Sequence, residues 1–187
     1  ALLAEGNAQA WNFSGCTWKN NSSPNGGAGV SAQNMIDAQW AFTGCVWTNQ
    51  SKFGTSTGNG GALRFVDVYG LLQLTNCTFT GNTVPGNVYG GGLYVSLTQT
   101  QSLAIGLEQV TFTGQIAGIG SSFYLKTTSG AQSMLNMTQI TLLGSQNATS
   151  TGASDVYLET TQSGSQSTAT FQAVTWSNTQ YCSPLAV

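Results

Sequence analysis

The side chains that could perform acid–base chemistry are few and widely separated along the chain. It has six carboxylates, four basic residues and no histidine. Glycoside hydrolysis by paired carboxylates needs two acids within about 10 Å of each other, and the one suggestive combination is Arg64 with Asp67, on and just after one predicted strand. The acids are Glu5, Asp37, Asp67, Glu108, Asp155 and Glu159. Because these offsets assemble no carboxylate pair, we expect a protein that is not an enzyme.

The cysteines form the second group with chemical potential. Cys16, Cys45 and Cys77 recur at intervals of 29 and 32 residues. If each interval is one coil of a stacked repeat, neighbouring Cα atoms lie about 4.8 Å apart, within disulfide range. We expect either a ladder of buried thiols or one bridge, Cys16–Cys45 or Cys45–Cys77. Cys182 is left over and is available to bridge another chain. Without histidine or a CxxC motif, we expect no metal and no other cofactor.

Asparagines followed by X-Ser or X-Thr form a third group, the acceptors of N-linked glycans in secreted eukaryotic proteins. Asn21 also fits the motif, but we expect its side chain to point inward. We therefore expect Asn20 to be the glycan acceptor of this pair. The predicted glycan acceptors are Asn12, Asn20, Asn49, Asn76, Asn136 and Asn147.

A repeat positions all of these residues, and its clearest copy is Leu72–Val95. Counting the first apolar residue of each unit as position 0, apolar side chains recur at positions 0, 2, 5 and 7. A polar side chain follows at position 10, where we expect stacked amides. The cysteines occupy position 5, and successive units are 29 to 34 residues apart at that position. The units begin near Trp11, Trp40, Leu72, Ile105, Leu135 and Ala169.

Each unit predicts three short strands, at positions 0–2, at positions 5–7 and after a run of small residues. Those runs are clearest at Gly26–Ala32, Gly60–Val66 and Gly90–Val95. Apolar residues alternate with period two inside the strands, and no segment has a helical period. The pattern therefore predicts an all-β fold, a right-handed single-stranded parallel β-helix of about six coils with three short strands each. One domain spans residues 1–187.

Short motifs carry a resemblance to known families. The chain contains GGAL at Gly60–Leu63, GGGL at Gly90–Leu93 and FTGN at Phe79–Asn82, with the variant FTGQ at Phe112–Gln115. These motifs resemble the GGA/FxxN repeats of chlamydial polymorphic outer-membrane proteins. They are also similar to right-handed parallel β-helices of the pectate-lyase type. The resemblance implies the fold and a place at the cell surface, and it says little about activity.

Outward-facing positions are where binding would occur. Tyr94, Tyr124 and Tyr157 share one outward register and predict an exposed aromatic stripe, either a sugar-binding surface or a contact between protomers. Threonines dominate positions 6 and 8, and this lattice resembles that of insect antifreeze proteins. Lys19, Val46 and Leu143 interrupt it.

Composition narrows the class of protein further. Only 5% of the residues are charged and the net charge is −2, which argues against binding of nucleic acid. No apolar run is long enough to span a bilayer. Residues 1–10 lack the features of a signal peptide, so we expect a leader already removed or an excerpt of a longer protein. A polar, uncharged surface is typical of extracellular or cell-surface proteins.

We therefore expect a structural, non-catalytic, glycosylated surface protein. Exposed strands at the ends of a β-helix favour pairing with another copy, so the expected partner is the protein itself, in a fibre or surface layer. A carbohydrate-binding or adhesin module is the first alternative, with glycans as partners. An ice-binding β-helix is the second, and a polysaccharide lyase-like enzyme is the most remote.

Overall fold

The computed structural model describes residues 2–6, 9–53, 58–147, 153–177 and 182–186. All regular secondary structure in these residues is β-strand. The strands are β1 (Leu2–Glu5), β2 (Ala10–Ser14), β3 (Thr17–Lys19), β4 (Ser22–Ser23), β5 (Val30–Thr43), β6 (Val46–Thr48), β7 (Ser51–Lys52), β8 (Leu63–Thr75), β9 (Thr78–Thr80), β10 (Leu93–Leu97), β11 (Ser102–Glu108), β12 (Thr111–Thr113), β13 (Ile116–Ala117), β14 (Phe123–Thr127), β15 (Gln132–Thr138), β16 (Thr141–Leu143), β17 (Gln146–Asn147), β18 (Ala153–Thr160), β19 (Gln166–Gln172), β20 (Thr175–Ser177) and β21 (Cys182–Ala186).

Parallel pairing stacks these strands into a β-solenoid. The long strands β5 and β8 join the two arms of an 11-stranded sheet: one arm holds the strands after the small-residue runs, the other those at positions 0–2. A six-stranded sheet in the order β20-β16-β12-β9-β6-β3 holds positions 6–8, one residue later than the predicted strand at positions 5–7. The predicted parallel β-helix class, with three strands per coil, is therefore confirmed.

The number of turns is slightly smaller than predicted. The six-stranded sheet contributes one strand per unit, and its strands are separated by five steps. The solenoid therefore makes about five turns, whereas the repeats suggested about six coils. The difference arises because the repeats count sets of strands, while a turn is the path between two equivalent strands.

Left-handed backbone makes the corners on both sides of the strands β3, β6, β9, β12 and β16, and the corner before β20. Gly44 before β6 and Asn49 after it have φ values of 62° and 51°. Glycine lacks the Cβ that disfavours this conformation, and asparagine tolerates it better than most residues. Equivalent corners with positive φ are Gly15, Asn20, Asn76, Gly81, Gln109, Gly114, Gln139, Gly144 and Ala173. The same turn geometry thus repeats along the chain.

Apolar side chains at equal positions stack into columns that fill the solenoid. The rings of Trp18 and Trp47 are 4.9 Å apart between centroids and nearly parallel. Phe79 stacks on Trp47 at 4.5 Å, and Phe112 on Phe79 at 4.7 Å. Trp47, Phe79 and Phe112 are completely buried. The predicted inward positions are therefore the core, and burying these rings is the main stabilising contribution.

The small-residue runs allow the backbone to approach these rings. A Cβ built on Gly29 would lie 2.6 Å from Cδ1 of Trp47, and one on Gly92 would lie 2.8 Å from Cδ1 of Phe112. Real Cβ contacts are not that short, so a larger residue would displace the ring or the strand. Close packing of backbone on ring therefore explains Gly29 and Gly92.

Candidate functional site

The polar side chains at position 10 form an internal ladder. Nδ2 of Asn21 donates to Oε1 of Gln50 at 2.9 Å, and Nδ2 of Asn82 donates to Oε1 of Gln115 at 3.1 Å. Gln50, Asn82 and Gln115 are completely buried. The expected stacked amides are confirmed for these four residues, and Asn21 points inward as expected. This ladder holds the turns together and leaves no amide free for a ligand.

The position-5 cysteines lie on successive turns as free thiols. Sγ of Cys45 donates to the carbonyl oxygen of Phe13 at 3.5 Å, and Sγ of Cys77 donates to that of Phe42 at 3.4 Å. Burial raises the pKa of Cys45, and burial raises the pKa of Cys77 to about 11 although backbone hydrogen bonds oppose it. Such thiols stay protonated and are weak nucleophiles. The side chain of Cys182 lies outside the described residues.

Asp67 and Arg64 have separate partners. The Asp67 carboxylate accepts hydrogen bonds from the Tyr69 hydroxyl at 2.7 Å and from the backbone N–H of Thr98 at 2.7 Å. Nη1 of Arg64 donates to Ser31 at 3.3 Å and to Gln33 at 3.4 Å. Asp67 therefore anchors the chain at Thr98. Arg64 and Asp67 do not come together as a catalytic site.

Asp155 is a buried carboxyl that the repeat pattern did not single out. It pairs across the ladder with Ser122, in the column where earlier turns carry Gly29 and Gly92. Oδ1 accepts hydrogen bonds from the hydroxyls of Ser121 at 3.2 Å and Ser122 at 3.3 Å. Oδ2 has no partner among the described residues. Burial raises the pKa of Asp155, and the serine hydrogen bonds only partly oppose it.

The tyrosine stripe has the predicted register but not the predicted exposure. Tyr94 pairs with Tyr124 and Tyr124 with Tyr157, and successive ring centroids are 5.4 Å apart. Tyr94 is only 7% exposed and Tyr124 only 1%, while Tyr157 is half-buried. The prediction of an exposed stripe is wrong because the loop before β10 folds back, and Tyr89 stacks on Tyr124 at 4.6 Å.

Charged groups close this stack on one side. Nζ of Lys126 lies 2.7 Å from Oε1 of Glu159, and the Tyr124 hydroxyl donates to Oε2 of Glu159. Burial and the Glu159 contact raise the pKa of Tyr124. Burial opposes ionisation of Glu159, but the bonds from Lys126 and Tyr124 outweigh it and lower the pKa of Glu159. The cluster is internally paired, so it serves the packing of β14 against β18.

The described glycan acceptors all lie on the surface. Asn20, Asn49 and Asn76 occupy left-handed corners, and their side chains are exposed. Asn12 and Asn136 are exposed on the outer faces of β2 and β15. The side chain of Asn147 lies outside the described residues. Glycosylation itself stays a prediction.

The outer face of the six-stranded sheet carries the predicted threonine lattice. Thr78, Thr111, Thr141 and Thr175 pair in register along one column. A second column runs through Thr48, Thr80 and Thr113, and Leu143 interrupts it. The threonines therefore form two in-register columns across four to five strands, and corner residues flank them.

An open groove of about 420 Å³ lies on the outer face of β11, β15 and β19. Sequence reasoning missed it because its walls are uncharged glutamine, serine, threonine and apolar residues that form no motif. The only available signal was the run of outward residues at equal positions of three successive strands.

Among the described residues, no three Cys, Asp or Glu side chains lie close enough to hold a metal ion. The same residues contain no helix with the length and hydrophobicity of a membrane span. Protein-family models, curated protein sequences and solved structures give no match to this chain. What is shown is thus a parallel β-solenoid, and the resemblance to chlamydial and pectate-lyase-type repeats stays a prediction.

Proposed function

We propose that this chain is a structural, non-catalytic protein of the cell surface or extracellular space that carries N-linked glycans and assembles with further copies of itself. The observation that carries the proposal is the difference between the inward and the exposed side chains of each turn. Inward side chains are used for stacking, as in the Gln50–Asn82 corner contact, and exposed positions carry mostly uncharged side chains and the glycan acceptors.

The corner asparagines support glycosylation. Asn49 and Asn76 stand at left-handed turns with exposed side chains, next to short strands rather than inside them. A glycan there extends into solvent, and at Asn49 it is attached to the same Nδ2 that donates to Oδ1 of Asn20 at 3.4 Å. Hydrophilic glycans on several turns would keep a charge-poor rod soluble, which its net charge of −2 does little to achieve.

Sheet edges support assembly. In the described chain, β3 and β20 are the edge strands of the six-stranded sheet. Edge strands present unpaired N–H and C=O groups that accept another parallel strand. A second solenoid of the same kind offers a matching aromatic column, since Trp18 lies in β3 and Trp176 in β20, so self-association extends the existing stack.

Site-resolved glycan mapping of the native protein tests the glycoprotein part of the proposal. Release of N-glycans in heavy-oxygen water converts an occupied asparagine to labelled aspartate, which peptide mass spectrometry locates. We expect label at Asn49 and Asn76 and none at the inward Asn21. Unlabelled asparagine at every acceptor would overturn the proposal of a glycosylated surface protein.

The threonine lattice favours a second candidate, ice binding. Its in-register hydroxyls repeat at the strand spacing of about 4.8 Å along the column from Thr78 to Thr175. The test is thermal hysteresis of the deglycosylated protein, compared with the Thr111→Glu variant. A hysteresis gap that the substitution abolishes supports this candidate, and no gap removes it.

A further inference from the structure

The groove on β11, β15 and β19 has walls built from two columns that follow the solenoid axis. One column aligns Ser102 with Gln132 and Gln166 in successive strands. The other aligns Ala104 with Met134 and Thr168. The groove therefore repeats similar chemistry at each step of about 4.8 Å, an arrangement suited to a linear polymer lying along the axis.

A second hollow lengthens this groove on the polar side. It has a volume of about 260 Å³ and shares Ser102 and Gln132 with the first. Thr100 and Gln101 add further uncharged polar groups at its rim. The combined surface is thus open and elongated, unlike the enclosed pocket that surrounds a small ligand.

The floor of the groove is fixed by a chain of hydroxyls. The Ser133 hydroxyl is 3.1 Å from that of Thr127 and donates to that of Ser167 at 2.8 Å. The hydroxyl of Thr160 donates to that of Ser167 at 2.9 Å. Because these bonds immobilise the floor, the walls above it are held in place before any ligand arrives, and less ordering entropy is lost on binding.

The wall chemistry selects the class of ligand. Every residue that lines the two hollows is uncharged, so phosphate and uronate groups would find no cation to pair with. Gln132 and Gln166 each offer an amide donor and an acceptor, which match sugar hydroxyls. Met134 is 63% exposed and offers an apolar surface to the C–H face of a sugar ring.

We propose that this groove binds a neutral polysaccharide, with the sugar chain lying along the solenoid axis across β11, β15 and β19. Amide groups of Gln132 and Gln166 hydrogen-bond its hydroxyls, and Met134 packs on its rings. The site goes beyond the structural role proposed for the chain.

Affinity electrophoresis through gels containing soluble polysaccharides tests the site. The probes are a β-glucan, a xyloglucan and a galactomannan, with polygalacturonate as the charged comparison. We expect retardation by at least one neutral probe and none by polygalacturonate. The double substitution Gln132→Ala with Gln166→Ala should weaken that binding about tenfold or more, because two amide contacts are lost.

Gln73→Ala is the matched control. Gln73 is an exposed glutamine on the same outer face, on β8, and does not line the groove. The Gln73→Ala variant should bind the neutral probes like the unmodified protein, and circular dichroism should show all variants folded. No retardation by any neutral probe, or equal retardation of the double variant, would overturn the proposal.

A glycan attached to the neighbouring acceptor Asn136 would compete with a polysaccharide for the groove. It faces outward two residues beyond Met134, so a glycan attached there would reach the groove. The experiment is therefore run with native and with glycosidase-treated protein. Binding by both forms supports the proposal. Binding that appears only after treatment, or only in Asn136→Gln, would show that the chain's own glycan fills the groove and would overturn it.

Discussion

The backbone N–H of Gln50 donates to Oδ1 of Asn82 at 2.9 Å, and this bond joins the corners of two successive turns. Nδ2 of Asn82 also bonds the carbonyl oxygen of Trp47 at 3.2 Å. One buried amide thus satisfies backbone groups that the sheets leave unpaired at the corner. Hydrogen bonds of this kind fix the spacing between successive turns.

Removing this amide should destabilise the solenoid. Asn82→Ala leaves the N–H of Gln50 without its partner in a dry interior and removes the bonds to the Trp47 carbonyl and to Gln115. We expect the free energy of unfolding to fall by about 3 kcal/mol. Urea unfolding followed by circular dichroism measures the change. Asn87→Ala, at an exposed loop position, is the control and should change it by less than about 0.5 kcal/mol. Equal stability of the two variants would contradict the ladder's role.

A methyl group at Gly92 should disrupt the stack of rings. Its Cβ would lie 2.6 Å from the carbonyl oxygen of Ser122 and 2.8 Å from Phe112. We expect Gly92→Ala to lower the free energy of unfolding by about 1–3 kcal/mol. Gly106→Ala is the matched control, because its Cβ would meet nothing nearer than a Gln73 side-chain atom at 3.8 Å. If both variants unfold at the same denaturant concentration, the close-approach explanation of the glycine runs is wrong.

The interior of the solenoid could be predicted from the sequence, and the cover provided by its loops could not. The offsets of Trp47, Phe79 and Asn82 predicted the stacked interior because each turn repeats one register. Tyr124 was placed outward by the same rule, yet it is buried because Tyr89 comes from a loop whose length varies between units. Loops follow no register, so the cover that they provide could not be predicted. The groove beside Met134 had no charged or motif residue to mark it.

Burial of Asp155 should make stability depend on pH. Its pKa is raised from the usual value of 3.8 because the folded chain desolvates the carboxylate. Between that value and the raised one, the folded state binds the proton more tightly than the unfolded state. The free energy of unfolding should therefore decrease as pH rises through this interval. Asp155→Asn should remove this component.

Urea unfolding of both proteins from pH 3 to pH 7 provides the measurement. Other carboxylates titrate in both proteins, so the difference between the two curves isolates Asp155. We expect Asp155→Asn to gain relative stability as pH rises. A difference that is independent of pH would contradict the burial of an ionisable group at this position.

The buried thiols should be inert in the folded protein. Burial raises the pKa of Cys77 to about 11, so almost none of it is thiolate at pH 8. In a Cys182→Ser background, we expect a disulfide reagent to label Cys77 only after unfolding, and half-buried Cys16 faster. Non-reducing peptide maps of the native protein provide the check, and a Cys45–Cys77 disulfide in those maps would contradict the free-thiol ladder.

Electron microscopy of the native material tests the structural role most directly. If copies add to the edges at β3 and β20, the particles should be filaments or layers with the strand spacing of about 4.8 Å along the stacking axis. Sedimentation should show the same association growing with concentration. Discrete single particles that remain monomeric at high concentration would contradict the proposal that this chain is an assembling structural subunit.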